Sequence, residues 1–288
     1  MKILVFGHSG QVATELRALH SDAIQISALA RADADLTNPA ACAAAIDAHA
    51  PDAVVNAAAY TAVDKAESDA GTAHLINAES PAAMARACAT RDIPFVSIST
   101  DYVFSGAGDS PWAPADPADP QGIYGRTKRD GELEITDAGG RYAVLRTSWV
   151  VSAYGNNFVK TMLRLGAERE ALTIVADQIG GPTSATEIAQ ACVTIAKTLV
   201  SEPEKSGIYH FSGAPDTSWA DFARAIFNAA NIPCSVTDIP SSKYPTPAKR
   251  PLNSRLDCSA TEAAFGLSRP DWRESLSHIL TQLEFPKD

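Results

Sequence analysis

Lys2-Ile3-Leu4-Val5-Phe6-Gly7-His8-Ser9-Gly10-Gln11-Val12-Ala13 decides the fold. A short, uninterrupted apolar run reads as a strand covered on both faces. It breaks at Gly7, and a helix opens near Gln11 after Gly10. Glycines at those two places permit a tight turn and close approach of a ligand to the backbone. The helix that follows offers free N–H groups and the positive end of its dipole, a site suited to phosphate. Ala13, the third small residue, lets the helix sit close to the sheet. A strand, a glycine-spaced turn and a helix in that order are what a dinucleotide's pyrophosphate requires. The spacing alone would also suit a plain structural turn.

Moving outward, further apolar runs over 24–26, 53–57, 95–98 and 143–145 alternate with Ala-rich helical segments over 11–20, 39–49, 72–91 and 124–136. That rhythm predicts an α/β fold, a Rossmann-type doubly wound parallel sheet with helices on both faces. After about residue 150 the helical segments (156–165, 187–199, 219–230, 271–283) are joined by Pro- and Gly-rich links. We therefore expect a dinucleotide-binding domain over 1–150 and a smaller C-terminal α/β substrate domain over 151–288. The run 208–211 is a candidate strand returning to the first sheet.

Composition narrows the function. The 288 residues are 45% hydrophobic and 20% charged, ordinary for a soluble globular protein. A net charge of −10 gives no electrostatic footprint for nucleic acid. The five cysteines, Cys42, Cys88, Cys192, Cys234 and Cys258, form neither CxxC pairs nor a disulfide framework, which fits a reduced, cytoplasmic setting. The apolar start is too short for a signal-peptide core, and no run approaches the roughly 18–20 apolar residues of a membrane span.

Specificity for the cofactor is read some 20 residues beyond the turn. An NAD site would place an acid there, but Ser27-Ala28-Leu29-Ala30-Arg31 holds none. Arg31 could instead pair with a 2′-phosphate, so NADPH is favoured, with NADH as the alternative. Arg31 as a solvated loop residue is the plainer reading. Asp35-Leu36 follows, either capping the next helix or approaching the adenine.

Tyr124 and Lys128 form the only Tyr-x-x-x-Lys pair. Four residues apart on a helix they share a face. An adjacent ammonium favours phenolate, so the tyrosine is expected to be acidified and to exchange a proton with a carbonyl or alcohol. The alternative is a surface pair beside Arg126, Arg129 and Asp130. The run Ser97-Ile98-Ser99-Thr100-Asp101 ends a buried strand in hydroxyls and a carboxylate, at the sheet edge where ligands bind. Thr100 could bond the reacting oxygen or merely cap a turn. Asn56-Ala57-Ala58-Ala59-Tyr60-Thr61 ends the preceding strand in small residues that leave room for a flat cofactor.

These segments, with Val63-Asp64-Lys65-Ala66-Glu67, Arg146-Thr147-Ser148-Trp149, Gly155-Asn156-Asn157-Phe158 and the distinctive Tyr244-Pro245-Thr246-Pro247-Ala248-Lys249-Arg250-Pro251 with Asn253-Ser254, run nearly the whole length. The chain resembles the dTDP-4-dehydrorhamnose reductases, extended short-chain dehydrogenases that complete dTDP-L-rhamnose synthesis. The resemblance implies Tyr124 as proton donor to a 4-keto oxygen, Lys128 on the nicotinamide ribose, and Thr100 completing the triad. Gly7, Gly10, Gln11 and Val12 would line the pyrophosphate. Asp35, Leu36, Ala59, Tyr60 and Thr61 would lie along the cofactor. Asp101 and Trp149 would contact the dTDP-sugar, Lys249 and Arg250 its diphosphate, with Asn253 nearby.

Some members bind Mg2+ between the subunits of a homodimer. Glu15 sits where one ligand would be, but Glu187 is displaced by one residue, a rotation of about 100° on a helix. The expectation is therefore no metal, with Glu15 the one candidate ligand. Competing readings are a sugar-nucleotide epimerase or dehydratase, and a non-catalytic subunit resembling the regulatory subunit of methionine adenosyltransferase. A dehydratase pairs Asp with Glu after the threonine; here Tyr102 follows Asp101.

Overall fold

The first strand, β1 (Lys2–Phe6), is buried from Ile3 onward because helices cover both faces of the sheet it centres. In this computed structural model, which describes residues 1–285, β1 pairs in parallel with β2 (Gln25–Leu29) on one side and β3 (Ala53–Asn56) on the other. β4 (Phe95–Thr100), β5 (Tyr142–Thr147) and β6 (Gly207–His210) continue outward from β3, all parallel. The order β6-β5-β4-β3-β1-β2 reverses direction at β1. A crevice therefore opens beyond the carboxyl ends of β1 and β3, where ligands bind in such sheets. This is a Rossmann-type doubly wound fold.

Two apolar layers hold the helices. On one face α1 (Gln11–Ala18) contributes Val12, Ala13 and Leu16, packed with Ile188, Cys192, Ile195 and Leu199 of the long helix Ala185–Ser201. On the other, α2 (Pro39–His49), α3 (Ser80–Thr90) and α4 (Ile123–Ala138) bury Ile46, Met84, Cys88 and Ile135 against Leu4, Phe6, Val54 and Phe95. Full burial of each such large side chain is worth about 1.5–3 kcal/mol. A separate core lies in the later chain, where helices Phe158–Glu168, Trp219–Ala229 and Trp272–Gln282 pack around Met162, Phe222, Ile226 and Leu276. Strands Ala171–Val175 and Ser235–Ile239 pair in parallel beside them. Among the described residues no helix is long and apolar enough to cross a membrane.

The helix expected over 72–91 is not continuous. Ala70–His74 passes through a π-helical turn, Leu75–Glu79, into α3. The reason is Asn77. Its Oδ1 accepts from the Tyr60 N–H at 2.8 Å, and its amide donates to the Tyr60 carbonyl (3.2 Å) and the Thr127 hydroxyl (3.1 Å). The widened turn lets one buried amide join the β3 loop to α4, and such insertions often mark functional sites.

Candidate active site

A cavity of about 790 Å³ occupies the crevice beyond β1 and β3. Its floor is the glycine turn, with Gly7, Gly10, Gln11 and Val12 all on the wall. Gly7 has φ +115°, and a Cβ there would crowd Ala13 and the Ala57 backbone. The first N–H groups of α1 receive no side-chain cap. An uncapped helix start behind an open turn suits the pyrophosphate of a dinucleotide. Asp35, Leu36, Ala59 and Thr61 line the same cavity. Asp35 also accepts from the Thr37 N–H at 2.9 Å, the main reason its carboxyl lies below the usual range, with Arg31 assisting at 3.1 Å. Arg31 reaches the rim with its side chain 78% exposed, shared between Asp35 and solvent.

Tyr60 does not lie along the cofactor wall. Its hydroxyl turns to Asp69 at 3.0 Å while its backbone is held by Asn77. Small neighbours on either side make the whole run read as cavity wall; the partner that holds the ring, Asp69, lies nine residues further along the chain.

Tyr124 and Lys128 both face the cavity, one turn apart on α4. The start of α4 is fixed by Glu67, whose Oε1 accepts the Ile123 N–H at 2.8 Å, a carboxylate at the positive helix end. Gly125 lets α4 touch the chain after β4, since a Cβ would run into the Tyr102 carbonyl. Tyr102 meets Tyr124 edge-on, centroids 5.4 Å apart. Thr100, ending β4, accepts the Tyr102 N–H (3.2 Å), donates to Asp101 Oδ1 (3.1 Å) and lies within hydrogen-bonding reach of the Tyr124 phenol.

The expected acidification of Tyr124 is not found. Burial pushes its phenol up to about 12, and Asp101 adds to the rise while Thr100 opposes it. Lys128 directs its ammonium to the Ile98 carbonyl at 2.7 Å instead. Burial brings Lys128 down to about 8, against the pull of Glu132 one turn along. Glu132 is itself paired with Arg146 (2.6 Å) and accepts from Ser99 (2.5 Å), in a buried network beneath the face that carries Tyr124 and Lys128.

Asp101 lines the cavity with its Oδ2 buried and unpartnered, and burial raises its carboxyl to about 6. The Thr147 hydroxyl, on the same wall, is likewise unpartnered. Buried polar atoms are ordinarily hydrogen-bonded, so both stand out in residues that line the cavity. Trp149 also lines it, with φ +48° and its ring stacked on Trp219 at 3.6 Å.

The late signature divides. Asn253 is buried, its amide donating to the carbonyls of Ala107 (3.4 Å) and Ser110 (2.8 Å), so it braces a loop and does not line the cavity. Lys249 bonds Gln121 and Arg250 bonds Asp64, outside the cavity wall. Glu15 is buried, and its Oε1 accepts from the Ser152 hydroxyl at 3.3 Å. Among the described residues no group of His, Cys, Asp and Glu suited to a metal ion occurs.

Sequence reasoning missed Glu67, Asn77, Gly125 and the Glu132–Arg146 pair. Glu132 had a legible signal, four residues after Lys128 and so on its face.

The family model described as RmlD substrate binding domain matches residues 1–285. A protein of Burkholderia thailandensis named dTDP-4-dehydrorhamnose reductase is 45% identical, over 98% of this chain and 99% of its own. A crystal structure of a dTDP-4-dehydrorhamnose reductase from Clostridium acetobutylicum superposes with TM-score 0.92 at 36% identity, covering 99% of this chain and 100% of that one. The enzyme of that name from Bacillus anthracis, solved in complex with NADP, gives 0.90 at 33% identity over 98% and 99%.

Proposed function

The chain belongs to the dTDP-4-dehydrorhamnose reductase family, and from that membership we propose that it reduces the 4-keto group of dTDP-4-dehydrorhamnose with NADPH, giving dTDP-L-rhamnose for cell-surface polysaccharide. The observation that carries the reading is that Tyr124, Lys128 and Thr100 share one cavity with the glycine turn. Bound NADPH supplies the hydride that reduces the keto carbon.

The chain's own groups do the rest. Tyr124, holding its proton at neutral pH, is a general acid ready charged for the reducing direction. It gives that proton to the keto oxygen as negative charge develops there. The Thr100 hydroxyl, turning its one proton from Asp101 Oδ1 to the phenol oxygen, steadies the resulting phenolate. Lys128, held by Ile98, presents its remaining N–H donors to the nicotinamide ribose. Gly7, Gly10, Gln11 and Val12 hold the pyrophosphate, Arg31 the 2′-phosphate, and Asp35, Leu36, Ala59 and Thr61 the adenosine half. Asp101 and Trp149 receive the sugar, while Lys249 and Arg250 approach its diphosphate from outside the wall. Elimination as in a dehydratase would need a second carboxylate where Tyr102 stands. Five free, buried thiols accord with a cytoplasmic enzyme.

The test is a matrix of NADPH and NADH against dTDP- and UDP-linked 4-keto sugars, with and without Mg2+. NADPH oxidation dependent on the dTDP-4-keto sugar, unaffected by Mg2+, is expected. No turnover with any combination, together with tight capture of another protein, would replace the reading with the regulatory one.

A further inference from the structure

The signature strap over 244–251 carries prolines at 245, 247 and 251 and almost no regular structure. Among the described residues, three polar contacts tie it to the rest of the fold. One is exposed Lys249 on Gln121 at 3.2 Å. The other two belong to a single carboxylate. Asp64 Oδ2 accepts from Arg250 Nη2 at 2.7 Å, and Asp64 Oδ1 accepts the Ala248 N–H at 3.1 Å.

Asp64 stands on the single helical turn Val63–Ala66, directly after the cavity wall formed by Ala59, Thr61 and Val63. One carboxylate thus fixes a mobile-type side chain and the backbone two residues before it to the cofactor half of the molecule. The far branch of the same guanidinium, Arg250 Nη1, is buried and has no partner. It lies close enough to Tyr102, a cavity residue, for its charge to act on that phenol.

We propose that Asp64 is a positioning residue: it anchors one branch of Arg250 so that the other is presented, already oriented, to the diphosphate of the sugar nucleotide. This rests on the reading that Arg250 meets that diphosphate. Arginine's planar fork makes the device workable, because fixing Nη2 also fixes the direction of Nη1. A long side chain held in place before binding loses less freedom when the ligand arrives. A buried guanidinium nitrogen without a partner is uncommon, and a ligand oxygen would satisfy it.

The experiment compares Asp64→Asn, Asp64→Ala, Arg250→Ala and the Asp64→Ala/Arg250→Ala double variant. It measures KM for the dTDP-4-keto sugar, KM for NADPH, kcat, and calorimetric affinity for dTDP, which carries the diphosphate without the sugar. Each Asp64 variant should raise the sugar-nucleotide KM and the dTDP Kd by about ten- to hundredfold, the worth of one charge-assisted hydrogen bond. The NADPH KM should stay within about twofold, and the double variant should be no worse than Arg250→Ala. A merely structural role would lower thermal stability and kcat while leaving both constants unchanged, and that result overturns the proposal. So would additive losses in the double variant, or an Arg250→Ala protein that binds dTDP normally. A wild-type enzyme that binds dTDP yet reduces no sugar nucleotide would defeat the functional reading alone, and the dTDP affinities would still decide the part played by Asp64.

Discussion

Lys128 donates its ammonium to the carbonyl of Ile98 at 2.7 Å, joining the helix that carries Tyr124 to the strand that ends in Thr100. The cation is therefore a brace between the two elements that carry the candidate catalytic side chains. Its charge is spent locally, and burial rather than the ammonium governs the phenol of Tyr124. The proposed reduction needs an acid that enters each turnover protonated, and a phenol at about 12 meets that need.

The first prediction concerns the alkaline limb of activity. Lys128 lies near 8, lowered from 10.5 by burial, so its charge is present below that pH and lost above it. Tyr124 keeps its proton throughout. The kcat/KM for NADPH should fall about tenfold per pH unit above pH 8 if the ammonium is the binding form. A profile level to pH 9.5 would remove the charge of Lys128 from the mechanism.

Replacing Tyr124 by Phe removes the proposed acid and little else, because the ring keeps its edge-on contact with Tyr102. A loss in kcat of at least about a hundredfold is expected, the lower end for general acid catalysis. NADPH binding, followed by quenching of protein fluorescence, should stay near that of the wild type. Near-normal turnover would assign the proton to another group.

Asp101 links the site to stability. Its carboxyl is raised from 3.8 to about 6, so between those values the folded protein binds the proton more tightly than the unfolded chain. Its contribution is fully present below about pH 4 and is lost as pH rises through 6. The whole effect is at most about 3 kcal/mol. Asp101→Asn should therefore be the more stable protein at pH 7.5, and its advantage should shrink on going to pH 4. Urea midpoints for both proteins at the two pH values measure this; an advantage that does not change with pH would contradict the assignment. The variant should also bind the sugar nucleotide less well.

How much was legible in the sequence depends on whether a residue's role is set by its neighbours in the chain. The β1 turn and α1 were, since an apolar run, two glycines and a helix opening lie within a dozen residues. The shared face of Tyr124 and Lys128 was, because helical spacing alone dictates it. The acidity of Tyr124 was not: spacing gives proximity to a cation, whereas burial depends on the whole fold. Tyr60 and Asn253 were misplaced for a related reason, as Asp69 turns one and the carbonyls of Ala107 and Ser110 hold the other. The π-turn at Asn77 was hidden in a run of good helix formers, because its cause is the Tyr60 backbone and Thr127, distant in sequence.

Gly125 offers the sharpest test of how closely the site is built. A glycine inside a helix costs roughly 1 kcal/mol relative to alanine, so propensity alone favours Gly125→Ala. The added Cβ would instead meet the Tyr102 carbonyl and the Pro120 ring, the first of these rigid backbone. α4 can accommodate it only by withdrawing from the end of β4, carrying Tyr124 away from Thr100. A displacement of about 1 Å is enough to lower the rate about a hundredfold. Gly125→Ala should therefore be a folded protein with kcat reduced by about that factor. Gly71→Ala, where nothing lies within 4 Å of the new Cβ, should keep full activity and gain slightly in thermal stability. Equal activity in the two variants would mean that α4 tolerates a looser fit against β4 than this contact requires, and Tyr124 would not need the placement argued for it.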